Sequence, residues 1–242
     1  MRNIPYNSNS NFPFSPRPEL SRTGQGGKLG VKVCGMKISE NIIEVAALNP
    51  DFMGFIFYPK SPRYADVLDV EVLNALPKTI KKIGVFVNEN LENILTFCAK
   101  YQLDGVQLHG TELVEMCREL KSAGYIVIKA FPIADAYNFA PTKNYEGACD
   151  YFLFDTKTDA FGGSGLKFNW EILDEYSGET PFLLSGGIAF DDAEAILKIE
   201  HPRFAGIDLN SKFELSPGFK NVEMLKQFGR EIKLPPNPIK GE

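Results

Sequence analysis

VKVCGMKISENIIEVAALNPDFMGFIFY, residues 31–58, carries the plan of the whole chain. VKVCG is a short run of apolar and β-branched residues, nearly continuous in hydrophobicity, as in a parallel strand covered by helices. A longer amphipathic stretch follows over 39–48, with Ser39 as its expected N-terminal cap. FMGFIFY (52–58) is then a second apolar run of strand length. Strand, loop, helix, strand is one β–α–β unit, and outward from it the pattern continues. The later runs are KIGVFV (82–87), GVQLH (105–109), IVIKAF (126–131), YFLFD (151–155), PFLLSG (181–186) and FAGIDLN (204–210), which makes eight. Between and after them, helices are expected over 67–76, 89–101, 111–123, 133–145, 168–176, 190–199 and 220–232. Pro77, Gly124, Pro202 and Pro235 serve as stops.

Eight β–α units in about 200 residues predict a single α/β domain, a (β/α)8 TIM barrel over 30–233. A doubly wound open sheet is the rival. It tends to carry a glycine-rich dinucleotide loop after its first strand, and here that loop reads Met36-Lys37-Ile38-Ser39. Residues 1–29, crowded with Asn, Ser, Pro and Gly, are expected to form an irregular, disordered extension. The alternative is an arm docked through Phe12 and Phe14. Residues 234–242 read as a C-terminal tail.

Composition narrows the function. The 242 residues are 44% hydrophobic and 24% charged, ordinary for a globular chain, and carry a net charge of −5. An acidic chain with no Lys/Arg block is not expected to bind nucleic acid or an anionic membrane. A small anionic substrate stays open, because a local pocket can oppose the global sign. No apolar run reaches the ~18 residues of a membrane span, and the N-terminus has no secretory apolar segment. Cys34, Cys98, Cys117 and Cys149 show no CxxC spacing, so neither a zinc cluster nor a disulfide framework is expected, and a reducing cytoplasm is the natural setting.

In such a barrel, chemistry sits at the C-terminal strand ends. That selects Cys34, Arg63, His109, Lys129, Asp155, Ser185 and Asp208. The loops FGGSGLKF, with Gly162, Gly163 and Gly165, and SGGIAFDDA, with Gly186 and Gly187, suggest phosphate. Glycine lets backbone N–H groups approach an anion, and a following helix N-terminus adds a favourable dipole. The plainer reading is a pair of tight turns that need positive φ. Cys34 alone reads as a packed barrel cysteine. Asp155 and Asp208 end apolar runs, where an unpaired carboxylate is costly. Arg63 offers a fork suited to a carboxylate, or is a surface loop residue. His109 follows Gln107 on one strand face and either lines the pocket or bonds to nearby backbone. Alternation places Lys32 on the face of Cys34, one layer deeper. A buried ammonium needs a partner. Asp208, on the strand that closes the barrel against the first, is the expected one, and the Lys32 charge is expected to favour a Cys34 thiolate.

VKVCGM, GFIFYPKSPRYA, KIGVFVNE, VQLHG, FDTKT…FGGSGLKFNW, LLSGGI and ID…S..E..PG..N together closely resemble the phosphoribosylanthranilate isomerase family, in order, over about residues 30–230. The resemblance implies a cofactor-free, metal-free Amadori rearrangement of N-(5-phosphoribosyl)anthranilate to 1-(2-carboxyphenylamino)-1-deoxyribulose 5-phosphate, a step of tryptophan biosynthesis. It implies Cys34 as general base and Asp155 as general acid. It also implies Arg63 as holder of the anthranilate carboxylate. The GGSG loop (Gly163, Gly165), the SGG loop (Ser185, Gly186, Gly187) and the loop with Asp208, Asn210 and Ser211 would hold the phosphate. His109 joins the substrate-binding set. Two positions depart from the family pattern: Lys212 stands where relatives have glycine, and Met36-Lys37 where they often have Leu-Thr or Ile-Thr. Family members mostly work as monomers, which is the expectation here, with a homodimer as the alternative. Two other readings remain open. One is another phosphate-binding barrel enzyme, such as an indole-glycerol-phosphate synthase-like protein or an aldolase with Lys129 as Schiff-base lysine. The other is a non-catalytic barrel acting as a binding module.

Overall fold

The computed structural model describes residues 29–157 and 167–232. The two expected tails, residue 29 apart, lie outside these residues, as do Gly162, Gly163 and Gly165. Eight parallel strands close into a barrel in sequence order. They are β1 (Gly30–Val33), β2 (Phe52–Ile56), β3 (Lys81–Phe86), β4 (Gly105–Leu108), β5 (Ile126–Ile133), β6 (Tyr151–Thr156), β7 (Phe182–Leu184) and β8 (Phe204–Leu209). β8 pairs back onto β1 with Lys32 opposite Asp208. Every expected strand is present, and the predicted (β/α)8 barrel is the architecture found.

Alternation along the strands divides the apolar residues into two cores. Phe52, Ile83, Ile128, Leu153, Leu183 and Ala205 fill the barrel interior. A larger shell, including Phe55, Phe86, Phe152 and Phe204, packs between the strands and their cover. Cys98, Cys117 and Cys149 are buried in that outer shell and unpaired.

The cover is less helical than its apolar pattern suggests. α1 (Ser39–Ala46), α2 (Val70–Ala75), α3 (Leu91–Tyr101) and α4 (Val114–Ser122) lie where helices are expected. Ser39 is the first residue of α1 rather than its cap; Ile38 holds that position without a side-chain bond. Over 133–145, Ile133 completes β5, and only Ala140–Tyr145 coils, as a 3₁₀ turn with Pro141 in its first turn, where proline costs no hydrogen bond. Over 168–176 there is a 3₁₀ turn, Trp170–Glu175, opened by the Asn169 side chain. Residues 190–199 divide into a 3₁₀ turn (Phe190–Asp192) and the short α5 (Ala193–Leu197). The last stretch begins as a strand: β9 (Glu214–Ser216) and β10 (Phe219–Lys220) form a hairpin, and α6 (Val222–Glu231) starts after Asn221, whose side chain caps it. Gly218, at φ +85°, supplies the turn.

Candidate active site

Cys34 follows β1 directly, and its backbone N–H donates to the Leu209 carbonyl at 2.9 Å, so it rides on the β1–β8 seam. Below it, Lys32 is wholly buried and donates from Nζ to Asp208 Oδ2 at 2.8 Å. This is the pairing expected from strand alternation. Gly54 on β2 makes room for both: a Cβ there would lie 2.7 Å from Cys34 Sγ and 3.1 Å from Lys32 Nζ. Burial works against the Lys32 ammonium, but Asp208 and Cys34 together raise its pKa above the ordinary value. Burial pushes Asp208 up against the pull of Lys32. The Cys34 thiol is pushed up as well, because burial outweighs the opposing pull of Lys32. The lysine therefore acts in the expected direction, and burial outweighs it.

Arg63 is no surface loop residue. It is buried, and its Nε and Nη2 donate to the Glu214 carboxylate on β9 at 2.8–3.0 Å. Glu214 also receives Lys220 Nζ at 2.7 Å and the Gly218 N–H at 3.1 Å. Lys220 reaches on to Asn210 Oδ1 at 2.7 Å. Burial pushes Glu214 up, yet its bonds from Arg63 and the charge of Lys220 hold it below the usual carboxylate range. For Lys220, burial prevails over Glu214 and lowers the pKa. Gly35, at φ +77°, permits the whole approach: a Cβ there would lie 2.7 Å from Arg63 Cδ and 2.8 Å from Asn210 Oδ1. Asn41 of α1 locks the hairpin from behind, donating to the Lys220 carbonyl at 3.0 Å and accepting its N–H at 2.7 Å.

On the other side of the mouth, His109 Nε2 lies 3.2 Å from Asp155 Oδ2, and Gln107 Nε2 lies 2.8 Å from His109 Nδ1. An amide donating to Nδ1 leaves the imidazole proton on Nε2, pointed at the carboxylate. Asp155 Oδ1 accepts the Thr156 N–H at 3.1 Å. Asp155 stands at the end of β6 and Asp208 lies on β8, so both carboxylates belong to the same barrel mouth.

Ser185 is anchored by its N–H on the Phe154 carbonyl at 2.8 Å, and Gly186 and Gly187 follow at φ +91° and +65°. The turn therefore needs glycine on conformational grounds alone. Asn210 and Ser211 open the turn after β8, and Lys212 beside them is exposed. Lys129 sits elsewhere. In register with Leu108 and Phe152, it points outward from the barrel, where Nζ meets Glu112 Oε2 at 3.0 Å and the carbonyls of Leu108 and Gly110 at 3.1 and 2.7 Å. Placed outside the barrel interior and bonded to this acid, it does not serve the Schiff-base reading. Glu112, Glu214 and Lys220 are the residues whose roles the sequence did not disclose. Glu214 stands in the ID…S..E..PG..N motif and the Pro-Gly pair at 217–218 signals a turn, but neither assigns a role.

The family model described as N-(5'phosphoribosyl)anthranilate (PRA) isomerase matches residues 31–231. The chain belongs to this family. Among phosphoribosylanthranilate isomerases, the curated protein of Parabacteroides distasonis is 51% identical over 207 residues, 85% of this chain and 94% of that one. The crystal structure of the Thermotoga maritima isomerase superposes with a TM-score of 0.74 at 34% identity, covering 85% of this chain and 98% of that one. An isomerase in complex with reduced 1-(o-carboxyphenylamino)-1-deoxyribulose 5-phosphate gives a TM-score of 0.71 at 31% identity, with the same two coverages.

Proposed function

We propose that the chain converts N-(5-phosphoribosyl)anthranilate to 1-(2-carboxyphenylamino)-1-deoxyribulose 5-phosphate, with Asp155 as general acid and Cys34 as general base. The observation that carries this reading is the arrangement of the mouth. A carboxylate steered by His109 stands on one side and a thiol beside a buried ammonium on the other. Asp155, entering the step as the carboxylic acid, protonates the furanose oxygen as the C1–O bond breaks and the anilino nitrogen's lone pair forms C1=N⁺. This leaves a protonated Schiff base and the Asp155 carboxylate held by His109. That cation acidifies the C2 proton, and Cys34 Sγ removes it as thiolate. The enolamine becomes the ketone as the 2-hydroxyl gives up a proton and C1 takes one up, and proton exchange with solvent returns Cys34 to the thiolate and Asp155 to the acid. His109 holds Asp155 Oδ2 toward the sugar. Arg63, its plane fixed by Glu214, keeps Nη1 for the anthranilate carboxylate. Ser185, Gly186, Gly187, Asn210 and Ser211, with Gly163 and Gly165, form the phosphate end, and Asp208 lines the floor.

The chain is read as a cytoplasmic monomer. Its four cysteines are free thiols, which the cytoplasm preserves. No described helix is long and apolar enough to cross a membrane.

Loss of the anthranilate fluorescence signal on adding enzyme tests the reaction. Cys34→Ala and Asp155→Asn should each remove most of the activity, as expected for a base and an acid that both act in the rate-setting chemistry. A pure, folded wild type that leaves the substrate unchanged refutes the reading.

A further inference from the structure

The charged groups around the Cys34 thiol come from many parts of the barrel mouth. Lys32 lies beneath it on β1 and is bonded to Asp208 of β8, and Lys220 of β10 is bonded to Glu214 and Asn210. Arg63 and Glu214 stand behind Lys220, while Asp155 and His109 face across the mouth. On the thiol's own side this amounts to three buried cations, Lys32, Lys220 and Arg63, against two carboxylates, Asp208 and Glu214, whose side chains are 5% and 4% exposed. The substrate carboxylate answers Arg63, and Lys220 is held by Glu214, so Lys32 is the cation beside the thiol whose charge can be shared with sulfur.

Lys32 is placed to act on the sulfur directly. Its Nζ and Cys34 Sγ both lie within 3.1 Å of the point where a Gly54 Cβ would stand. The same ammonium is held from the other side by Asp208 at 2.8 Å. We propose that Lys32 is a positioning residue for the reaction: its ammonium, shared between Asp208 and Cys34, sets the pH at which Cys34 becomes the base. Asp208 is then the competitor in this triad, drawing the ammonium's charge away from sulfur. This rests on Cys34 being the base, and it explains why a wholly buried lysine lies under that residue.

The two partners of Lys32 predict opposite effects, which a purely structural role does not. Replacing Asp208 by Asn leaves Lys32 with Cys34 as its remaining anionic neighbour and should lower the thiol's titration midpoint. The paired change Lys32→Met with Asp208→Asn removes both charges together, leaving no buried ion orphaned, and should raise it. The readout is the pH dependence of iodoacetamide labelling of the Cys34 peptide by mass spectrometry, on folded enzyme without substrate. A shift of about one pH unit in each direction is expected, a tenfold change in thiolate at fixed pH. The acid limb of the kcat/KM profile should follow both shifts, and Lys32→Arg, which keeps the charge, should titrate like wild type. Midpoints equal to wild type in the folded variants overturn the proposal. If the double variant does not fold, Asp208→Asn decides alone, and an unchanged or raised midpoint overturns it. The labelling needs no turnover, so an enzyme that failed on the expected substrate would still report on Lys32.

Discussion

Gly54→Ala is the smallest change that reaches the proposed base without altering any group in the chemistry. The new methyl would lie 2.7 Å from Cys34 Sγ, 3.1 Å from Lys32 Nζ and 3.2 Å from Cys34 Cα. Unstrained contacts between such atoms begin near 3.5 Å, so the sulfur has to retreat by about 1 Å. It cannot do so freely, because Lys32 is fixed on Asp208 and the Cys34 backbone is bonded to Leu209. Overpacking of this kind costs about 1–3 kcal/mol. At about 2–4 °C per kcal/mol for a domain of this size, the melting temperature should fall by about 2–12 °C. A base misplaced by about 1 Å is expected to lose on the order of a hundredfold in rate. The assays are thermal unfolding and steady-state kinetics, run in wild-type and Cys34→Ala backgrounds. Because sulfur makes the closest contact, removing it should recover most of the stability lost, a coupling above about 0.5 kcal/mol between neighbouring sites. If Gly54→Ala destabilises both backgrounds equally, or leaves kcat at the wild-type value, the crowding argument is refuted.

Two further outcomes follow from buried charge and buried thiol. Glu112→Gln should leave the Lys129 ammonium facing carbonyls alone and cost about 3–5 kcal/mol; circular dichroism melting should show it, and an unchanged transition would mean the pair contributes nothing. At high pH, the Cys98 thiol, pushed up to about 12 by burial from an ordinary 9.0, stays protonated in the fold while the unfolded chain ionises. Stability should therefore fall as pH rises from 9 toward 12, by up to about 1.4 kcal/mol per pH unit from this group. Urea titrations should show a shallower alkaline decline in Cys98→Ala, and a slope equal to wild type would exclude Cys98 as a source.

The barrel was legible because each buried parallel strand is a dense apolar run, and such runs need no partner to be recognised. The Lys32–Asp208 pair was legible for a related reason: alternation fixes which face Lys32 occupies, and closure makes β8 its neighbour. The cover misled where amphipathic spacing is short. The stretch around Trp170–Glu175 has helical periodicity yet coils as a 3₁₀ turn, because so short a segment takes its geometry from the barrel surface more than from its own propensity. The Arg63–Glu214–Lys220 cluster was hidden for a different cause. Glu214 lies 151 positions from Arg63, on a hairpin only two residues wide at its second strand, and no local pattern announces that it folds back over the mouth.

The seam between β1 and β8 carries a consequence for how activity can arise. Lys32 and Asp208 are 176 positions apart and meet only when the last strand docks on the first. The ring cannot be opened there while keeping the Lys32–Asp208 pair beneath Cys34, so a half-barrel fragment with a sound core would still lack the charged neighbours of the proposed base. Turnover is thus expected to report ring closure: it should appear late in refolding, when the barrel's first and last strands become neighbours.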